Sequence, residues 1–350
     1  MNPILSGSLV YKTHFGTQFI LAPPSNRSAS HRITCQKMTC ASAAVSPTLR
    51  TVTISYSELK DKNADLSMKI EQGFGPNGLG ILSVTDVPGF SSLRQNLLHL
   101  APRLANLPED VKKDLEDHHS RYNFGWSHGK EKLESGNPDM LKGSFYANPL
   151  LDVPTTETHL IERYPSYCGS NIWPHSALPE LEVVSKGMKM KENEGLEQIL
   201  LHSRCHKGRL LYYFPAQQSN CIRDGDSMSS WCGWHTDHAS LTGLTCGMFT
   251  KDGTVVFRED EIAYQIGETT EILSRSYLCA TPHCVRAPRG EEASGIDRST
   301  FALFMQPDWD EKLNFPEDAH IHKEVIPSNG ALTFGEYTER LLDKYYHLKT

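Results

Sequence analysis

Residues 234–242 read Trp234-His-Thr-Asp-His-Ala-Ser-Leu-Thr242, with His235 and Asp237 two positions apart. On an extended strand, residues i and i+2 point to the same face, so this imidazole and this carboxylate converge on a common point. A second histidine, His283, follows in the β-like run Ala280–Val285. Two histidines and one carboxylate that leave other positions open suit non-haem iron(II). The sequence therefore predicts a metal site formed by His235, Asp237 and His283.

Other residues near this motif compete for the same roles. His238 projects to the opposite face of the strand, which argues against it as a ligand of this site. Cys232, Cys279 and Cys284 flank the ligands and, with His235, are a conceivable zinc site, but their spacing matches no familiar zinc pattern. Buried thiols are the favoured interpretation of these cysteines. A zinc or manganese hydrolase that uses the same three predicted ligands stays open.

Arg298 is a candidate for binding a carboxylate near the metal. A guanidinium at the start of an inward-facing strand forms two parallel hydrogen bonds to a carboxylate. Thr300, two residues on, offers a hydroxyl on the same face, and Tyr212 on an earlier β-like run offers another. These residues predict a site for a dicarboxylic 2-oxo acid that chelates the metal at one end and contacts Arg298 at the other.

The second half of the chain is rich in short β-like runs. They are Arg209–Phe214, Ser240–Phe249, Thr254–Phe257, Ala263–Leu273, Leu278–Arg286 and Thr300–Met305. Strands at this spacing predict an all-β sandwich or barrel. A last helix is predicted from Thr333, because its hydroxyl and Glu336 have the spacing of a capping box.

The first half has an α+β pattern. Val52–Tyr56 and Gly78–Val84 predict strands, Leu59–Phe74 predicts one short helix, and Ser91–Leu107 predicts a longer helix with an apolar stripe. Residues 121–179 are rich in Gly, Pro, Ser and aromatic residues, and this composition predicts long loops with little regular structure.

Composition excludes several classes of protein. The chain has 350 residues, 38% of them hydrophobic, which is enough for a substantial core. A net charge of -7 does not favour binding to nucleic acid, and no uninterrupted apolar run approaches the length of a membrane span. The nine cysteines are scattered and odd in number, which favours reduced thiols over a disulfide framework.

Residues 1–50 have the composition of an organelle leader. No Asp or Glu precedes Glu58, while Ser, Thr, Ala and isolated basic residues recur. This pattern is typical of a transit peptide, and we expect import into chloroplasts, with mitochondria or the cytoplasm as alternatives. A disordered tail without a targeting role is the other interpretation.

Taken in order, these motifs resemble the plant branch of the iron(II)/2-oxoglutarate-dependent dioxygenase superfamily, the group related to isopenicillin N synthase. The resemblance extends over about Val52 to Tyr346. The residues that carry it are His235-Thr-Asp237, Ser240-Leu-Thr242, Gln265-Ile-Gly-Glu268, His283, and Arg298 followed by Phe301-Ala-Leu-Phe304.

The resemblance implies a fold of the α+β class with a mainly β core. That core is expected to be a double-stranded β-helix, or jelly roll, with an N-terminal α+β extension and bracing helices. The implied boundaries are 51–205 for the extension, 206–315 for the oxygenase core and 316–350 for a C-terminal helical segment.

The resemblance also implies a reaction. Fe(II) at His235, Asp237 and His283, together with 2-oxoglutarate and dioxygen, would hydroxylate or desaturate a small organic metabolite and release succinate and CO2. Arg298, Thr300 and Tyr212 would bind 2-oxoglutarate. We expect a monomer with a small-molecule substrate and without nucleic-acid or membrane partners.

Some positions depart from the family pattern. Thr300 stands where relatives have Ser, and Phe214 stands where a tyrosine that contacts 2-oxoglutarate is expected, so this contact is assigned to Tyr212. Residues 180–207 and 250–256 are shorter than the corresponding family segments. These departures keep a second possibility open, a catalytically impaired relative that acts as a binding or regulatory module.

Overall fold

The computed structural model describes residues 11–12, 18–19, 47–132, 136–187, 203–215, 230–250, 253–287, 295–315, 322–327 and 331–346. Most of the predicted leader, and residues 188–202 of the short segment between 180 and 207, lie outside these ranges. The chain divides into two units, residues 1–45 and 46–350. In the first unit, strands β1 (Tyr11–Lys12) and β2 (Gln18–Phe19) pair antiparallel.

The second unit contains the remaining elements. Its strands are β3 (Thr48–Leu49), β4 (Val52–Ser55), β5 (Ile81–Thr85), β6 (Gly125–His128), β7 (Lys142–Ala147), β8 (Lys207–Tyr213), β9 (Ser230–His235), β10 (Leu241–Leu244), β11 (Met248–Thr250), β12 (Gly253–Val255), β13 (Ile262–Ile266), β14 (His283–Arg286), β15 (Arg298–Met305), β16 (Lys312–Asn314) and β17 (Ala331–Thr333). Its helices are α1 (Tyr56–Lys60), α2 (Ser67–Phe74), α3 (Phe90–Ala105), α4 (Glu109–Asp114), α5 (Thr158–Arg163), α6 (Pro165–Cys168), α7 (Glu180–Gly187), α8 (Glu268–Leu273) and α9 (Phe334–Tyr346), with a 3-10 turn at Lys323–Val325.

Two facing sheets carry the fold. Within the described residues, the larger sheet has eight strands in the order β4-β5-β13-β10-β15-β8-β7-β6, all antiparallel neighbours except the parallel pair β4 and β5. The smaller sheet has the order β3-β12-β11-β14-β9. Strands from both halves of the sequence therefore share the larger sheet, and the N-terminal region is part of it.

The inner faces of the two sheets pack against each other. Leu211 and Tyr213 of β8 and Ala302 of β15 lie in one buried cluster with Trp231 of β9 and Val285 of β14. Side chains alternate between the faces of a strand, so Leu210 and Tyr212 of β8 point outward. This contact brings the strands that bear His235 and His283 over the inner face of the larger sheet.

Helix α3 covers the outer face of the larger sheet. Its Leu97, Leu100 and Leu104 are almost fully buried and lie in one cluster with Leu210 of β8 and Phe301 of β15. These positions recur every three or four residues, which places them along one side of a helix. The layers are therefore helix, sheet and sheet.

The prediction of long loops in residues 121–179 holds for most of this stretch but misses a buried strand. Strand β7 lies there, pairs with β6 on one side and β8 on the other, and is buried along its whole length. Because both of its faces are covered, its sequence does not alternate between apolar and polar residues, and the usual strand signal is missing. Helices α5 and α6 also lie in this region.

Several predicted elements have different bounds. The helix expected at Leu59–Phe74 is two helices, α1 and α2. The β-like run Ala263–Leu273 ends as a strand at Ile266 and continues as helix α8, since Gly267 lies between the two elements and Ile272 is buried from a helix. The run Leu278–Arg286 forms a strand only from His283.

The C-terminal helix α9 begins as predicted. The Glu336 amide donates to Thr333 Oγ1 at 3.2 Å, and the Thr333 amide donates to Glu336 Oε2 at 3.0 Å, which completes the capping box. In the described parts of the chain, every helix is too short or too polar to cross a membrane.

Candidate metal centre

The three predicted ligands come together at the edge of the smaller sheet. Strands β9 and β14 are antiparallel neighbours, and His283 lies directly opposite His235. Asp237 follows just beyond the end of β9. Its Oδ1 lies 3.7 Å from His235 Nε2 and 4.0 Å from His283 Nε2. Bonds of about 2.1 Å to one metal hold ligand atoms about 3 Å apart, so a small closing of these distances forms a site.

Both histidines direct their Nε2 atoms toward Asp237. His235 Nδ1 lies 2.9 Å from the carbonyl oxygen of Gly233, and His283 Nδ1 lies 2.9 Å from that of Thr281. Each Nδ1–H donates to its carbonyl, so a metal would bind at Nε2, on the side of Asp237. Asp237 and His283 are buried, whereas the His235 side chain is 32% exposed and marks the open side of the site.

Gln265 holds the aspartate and was not assigned a role from the sequence. It is fully buried on β13, and its amide nitrogen donates to Asp237 Oδ2 while lying 3.4 Å from the ring nitrogens of His283. Among the described residues its Oε1 has no hydrogen-bond partner. A metal ligand is commonly oriented by such a donor. The signal in the sequence was a polar residue within a strand of otherwise apolar or aromatic residues.

The protonation of the three ligands suits a divalent cation. Burial alone would lower the pKa of His235, but Cys232 and Asp237 outweigh it and raise that pKa to about 9. Burial and the positive charge of His235 lower the pKa of His283 to about 4. Burial would raise the pKa of Asp237, yet the two imidazoles hold it below its usual value. At neutral pH the cluster thus has a carboxylate, one neutral imidazole and a proton that a metal can displace.

Arg298 and Thr300 lie on the inner face of the larger sheet. In the register of β15 against β8, Arg298 is opposite Tyr213 and Thr300 is opposite Leu211, and both partners belong to the inner cluster. Arg298 Nη2 donates to the carbonyl of Gly247 at 2.6 Å. Its buried Nε has no partner in the described part of the chain. An unsatisfied buried donor fits a site for a ligand carboxylate.

The structure does not support the role predicted for Tyr212. This residue lies on the outer face of β8 in the cluster covered by α3, and its hydroxyl donates to Asp297 Oδ2 at 2.6 Å. Neighbouring residues of a strand point to opposite faces, so it is Tyr213 that shares the face of Arg298. Strand parity therefore places Tyr212 on the face of the sheet opposite to that of Arg298.

A cluster of charged residues lies between the sheets near His235, and the sequence analysis did not predict it. Glu131 accepts from Lys142 Nζ at 2.7 Å and from Arg209 Nη2 at 2.6 Å. Lys142 Nζ and His235 Nδ1 each lie 3.8 Å from Cys232 Sγ. Burial would raise the pKa of this thiol, but Lys142 and His235 lower it to about 6. The interior is therefore polar and charged on one side of the candidate site.

The alternative zinc site built on cysteines is not formed in the described residues. The groups there whose ligand atoms lie close enough to hold a metal contain no cysteine. Cys279 is exposed and Cys284 is buried. His238 does not join Asp237 either, because its ring faces Glu268. The short segment at 250–256 still provides β11 and β12, and β11 pairs with β14 beside His283.

Comparison with solved structures identifies the fold. A full-length Neurospora crassa protein in complex with alpha-KG and 5-formyluracil is 18% identical with a TM-score of 0.58, and the match covers 83% of this chain and 95% of that chain. A Caulobacter crescentus protein assigned to the 2OG-Fe(II) oxygenase family is 18% identical with a TM-score of 0.58, covering 84% and 98%. JOX2 in complex with 2OG, Fe and JA is 16% identical with a TM-score of 0.53, covering 86% and 88%.

The chain thus has the fold of the 2OG-Fe(II) oxygenases, and the sequence resemblance is confirmed at the level of the fold. No protein-family model matches the sequence, and no curated protein matches it.

Proposed function

We propose that this chain is an iron(II)- and 2-oxoglutarate-dependent oxygenase that hydroxylates or desaturates a small organic metabolite. The observation that carries the proposal is the convergence of His235 Nε2, Asp237 Oδ1 and His283 Nε2 on one point, with both Nδ1–H groups already donating to carbonyls. Two imidazoles and one carboxylate on one face of a metal are the donor set of non-haem iron oxygenases.

The residues of the chain divide the work as follows. His235, Asp237 and His283 would hold Fe(II), and Gln265 would keep the Asp237 carboxylate in place. Arg298 would bind the distal carboxylate of 2-oxoglutarate through its buried guanidinium, with Thr300 beside it. Iron bound there would supply the oxidation, in which 2-oxoglutarate, dioxygen and the organic substrate would give succinate, CO2 and the oxidised substrate.

Turnover of 2-oxoglutarate by the full chain tests the proposal without knowledge of the substrate. With Fe(II), 2-oxoglutarate and dioxygen, we expect slow succinate formation by the wild-type chain. His235→Ala and Asp237→Ala should form none, and His119→Ala, which alters an exposed histidine, should match the wild type. Succinate formation at the wild-type rate by either ligand variant would overturn the metal assignment.

The two alternatives from the sequence make different predictions. A zinc or manganese hydrolase with the same ligands would need neither dioxygen nor 2-oxoglutarate, so an activity that persists without both would favour it. A catalytically impaired binding or regulatory module, suggested by Phe214 and the short segments at 180–207 and 250–256, would fold without binding iron.

The finer structural and cellular assignments belong to the same proposal. We assign a double-stranded β-helix core to residues 206–315, an extension to 51–205 and a C-terminal segment to 316–350, and strands of the extension complete the larger sheet. Residues 1–50 act as a chloroplast transit peptide in this proposal, and the mature protein is a monomer. A fluorescent protein fused to residues 1–50 should enter chloroplasts; accumulation in mitochondria or the cytoplasm would refute that part.

A further inference from the structure

Glu268 is a buried carboxylate at the first position of α8, and its side chain is 1% exposed. Imidazoles from two separate segments face it. His322 Nε2 lies 3.2 Å from Glu268 Oε1, and His238 Nε2 lies 3.8 Å from Glu268 Oε2. Among the described residues, these three form a group whose ligand atoms all lie within 4.8 Å of one another.

The ligand atoms lie near the spacing of a tetrahedral zinc site, and a small movement of one ring would complete it. Zinc bonds of about 2.0–2.2 Å to imidazole nitrogen and carboxylate oxygen place neighbouring ligand atoms about 3.3 Å apart. One observed nitrogen–oxygen distance is already in that range, and the other needs a shift of the His238 ring. The rings of His238 and His322 lie at 90° with centroids 6.0 Å apart, so the two imidazoles approach the carboxylate from different directions.

Hydroxyl groups hold the carboxylate in place. Thr236 Oγ1 donates to Glu268 Oε1, and the Tyr337 hydroxyl donates to Glu268 Oε2 at 3.1 Å. Each carboxylate oxygen has two lone pairs, so these bonds leave acceptor capacity on both oxygens. Donors of this kind commonly orient a carboxylate that binds a metal. The Tyr345 ring stacks on the His238 imidazole at 5.5 Å, and its hydroxyl lies 3.4 Å from His238 Nε2, so a metal at that nitrogen would replace this contact.

We infer that His238, Glu268 and His322 form a second divalent-metal site with the donor set of a zinc site. It shares no residue with the site at His235, Asp237 and His283. The second site would link His238, which follows β9, to Glu268 at the start of α8 and to His322, which directly precedes the 3-10 turn. The Tyr337 hydroxyl connects α9 to the same carboxylate. Because the Glu268 amide donates to the Asp237 carbonyl at 2.7 Å, the second metal would also brace the backbone of a ligand of the first.

Zinc stoichiometry tests this site independently of the proposed function. The background chain is the full chain with His235→Ala and His283→Ala, which removes two ligands of the first site. It is dialysed against Zn²⁺, and its zinc content is measured. We expect the background chain to bind one more zinc ion per chain than the triple variant in which His322→Ala is added. Adding His119→Ala instead should leave the zinc content unchanged. Equal zinc contents with and without His322→Ala would overturn the inference.

Cobalt substitution provides a second measurement with a milder variant. Glu268→Gln keeps the size of the side chain and one amide oxygen that accepts hydrogen bonds. It therefore tests the site even if the His322 variant does not fold. The intense visible bands of tetrahedral Co²⁺ should appear in the background chain and disappear with Glu268→Gln. Absence of the bands in the folded background chain, or their persistence with Glu268→Gln, would contradict the inferred site.

Discussion

Arg298 is the residue that we propose binds the distal carboxylate of 2-oxoglutarate. Its Nε is buried without a partner in the described residues, although Nη2 is satisfied by Gly247. Loss of a charge-assisted pair of hydrogen bonds costs about 1.5–3 kcal/mol, or roughly a 10- to 100-fold weaker affinity. We expect Arg298→Ala to raise the Kd of 2-oxoglutarate by that factor, measured by calorimetry with iron present and dioxygen excluded.

A matched control for this prediction is Tyr212→Phe. The Tyr212 hydroxyl bonds to Asp297 on the outer face of the sheet, so its removal should leave the Kd of 2-oxoglutarate unchanged. An unchanged Kd in Arg298→Ala, or a Kd raised tenfold or more in Tyr212→Phe, would contradict the account of this pocket.

Gln265 should govern the affinity of the metal without binding it. Its amide holds Asp237 Oδ2, and loss of such a supporting bond commonly costs roughly 10- to 100-fold in metal affinity. We expect Gln265→Leu to weaken Fe(II) binding by this factor, measured by equilibrium dialysis without dioxygen. Gln306→Leu alters another buried glutamine, which bonds to the Cys205 carbonyl, and should bind Fe(II) as the wild type does. Equal affinities in the two variants would refute the role of Gln265.

For single residues, the sequence predicts which side chains could bind the metal and its ligand better than it predicts the face of the strand to which each side chain points. The spacing of His235 and Asp237 and the order of His283 and Arg298 were enough to find residues that the fold brings to one sheet edge or one face. The sequence was not enough to decide which residues of β8 face inward. A shift of one residue exchanges the two faces of a strand, and nothing in Tyr212-Tyr-Phe214 shows which residue points inward. The contact between Gln265 and Asp237 depends on strand pairing that local sequence does not contain.

Among the elements, helix α9 depends on its capping box. Thr333 and Glu336 satisfy each other's backbone amides, and removal of such a cap costs about 1 kcal/mol. Thr333→Ala should lower the free energy of unfolding by about that amount, as measured by urea denaturation. Thr333→Ser keeps the hydroxyl and should retain most of the stability. Equal losses in both variants would show that the methyl group, not the cap, is responsible.

The charged cluster that links β7 to β8 should control stability in acid. Burial would raise the pKa of Glu131, but Arg209 and Lys142 outweigh it and lower that pKa to about 2. A carboxylate with a depressed pKa contributes stability above its usual pKa, and this contribution is lost as the pH falls toward the folded-state value. At pH 7, Glu131→Gln removes the carboxylate partner of Arg209 and one of the two carboxylate partners of Lys142, and we expect a loss of about 3 kcal/mol.

The pH dependence of that loss is the diagnostic measurement. Urea denaturation at several pH values should show the difference between wild type and Glu131→Gln shrinking from pH 5 toward pH 2. A difference that is constant over this range would mean that the ion pairs of Glu131 do not contribute to stability.

Element prediction failed where burial removes the alternation of apolar and polar residues. Strand β7 is covered on both faces, and its Lys142 is paired in the interior, so Lys-Gly-Ser-Phe-Tyr-Ala does not look like a strand. The run that continues into α8 was assigned to one strand, because a short apolar segment fits either structure. In contrast, the stripe of leucines in α3 and the cap of α9 are local signals, and both helices were predicted.

At the scale of the whole molecule, the sequence predicted a mainly β core but not its sheet order. The cadence of short strands in the second half indicates two packed sheets. Yet β4, β5, β6 and β7 of the first half belong to the larger sheet, beside strands far away in sequence. Such pairings are set by long-range packing, whereas propensity and periodicity describe only neighbours along the chain.

The metal centre also depends on this long-range order. His235 and His283 meet only because β9 and β14 pair, and Gln265 and Arg298 reach the same interior from two strands of the other sheet. Local sequence supplies the ligand types, and the two sheets bring them together. Binding of iron and 2-oxoglutarate, as proposed, would therefore report on the assembly of the whole core.

Anaerobic titration of the purified full chain with Fe(II) and 2-oxoglutarate tests the central claim most directly. A 2-oxoglutarate chelate of iron gives a weak visible charge-transfer band, which we expect in the wild type and in His119→Ala and not in His283→Ala. A folded wild-type chain without the band, or a band that persists unchanged in His283→Ala, would contradict the proposed iron site.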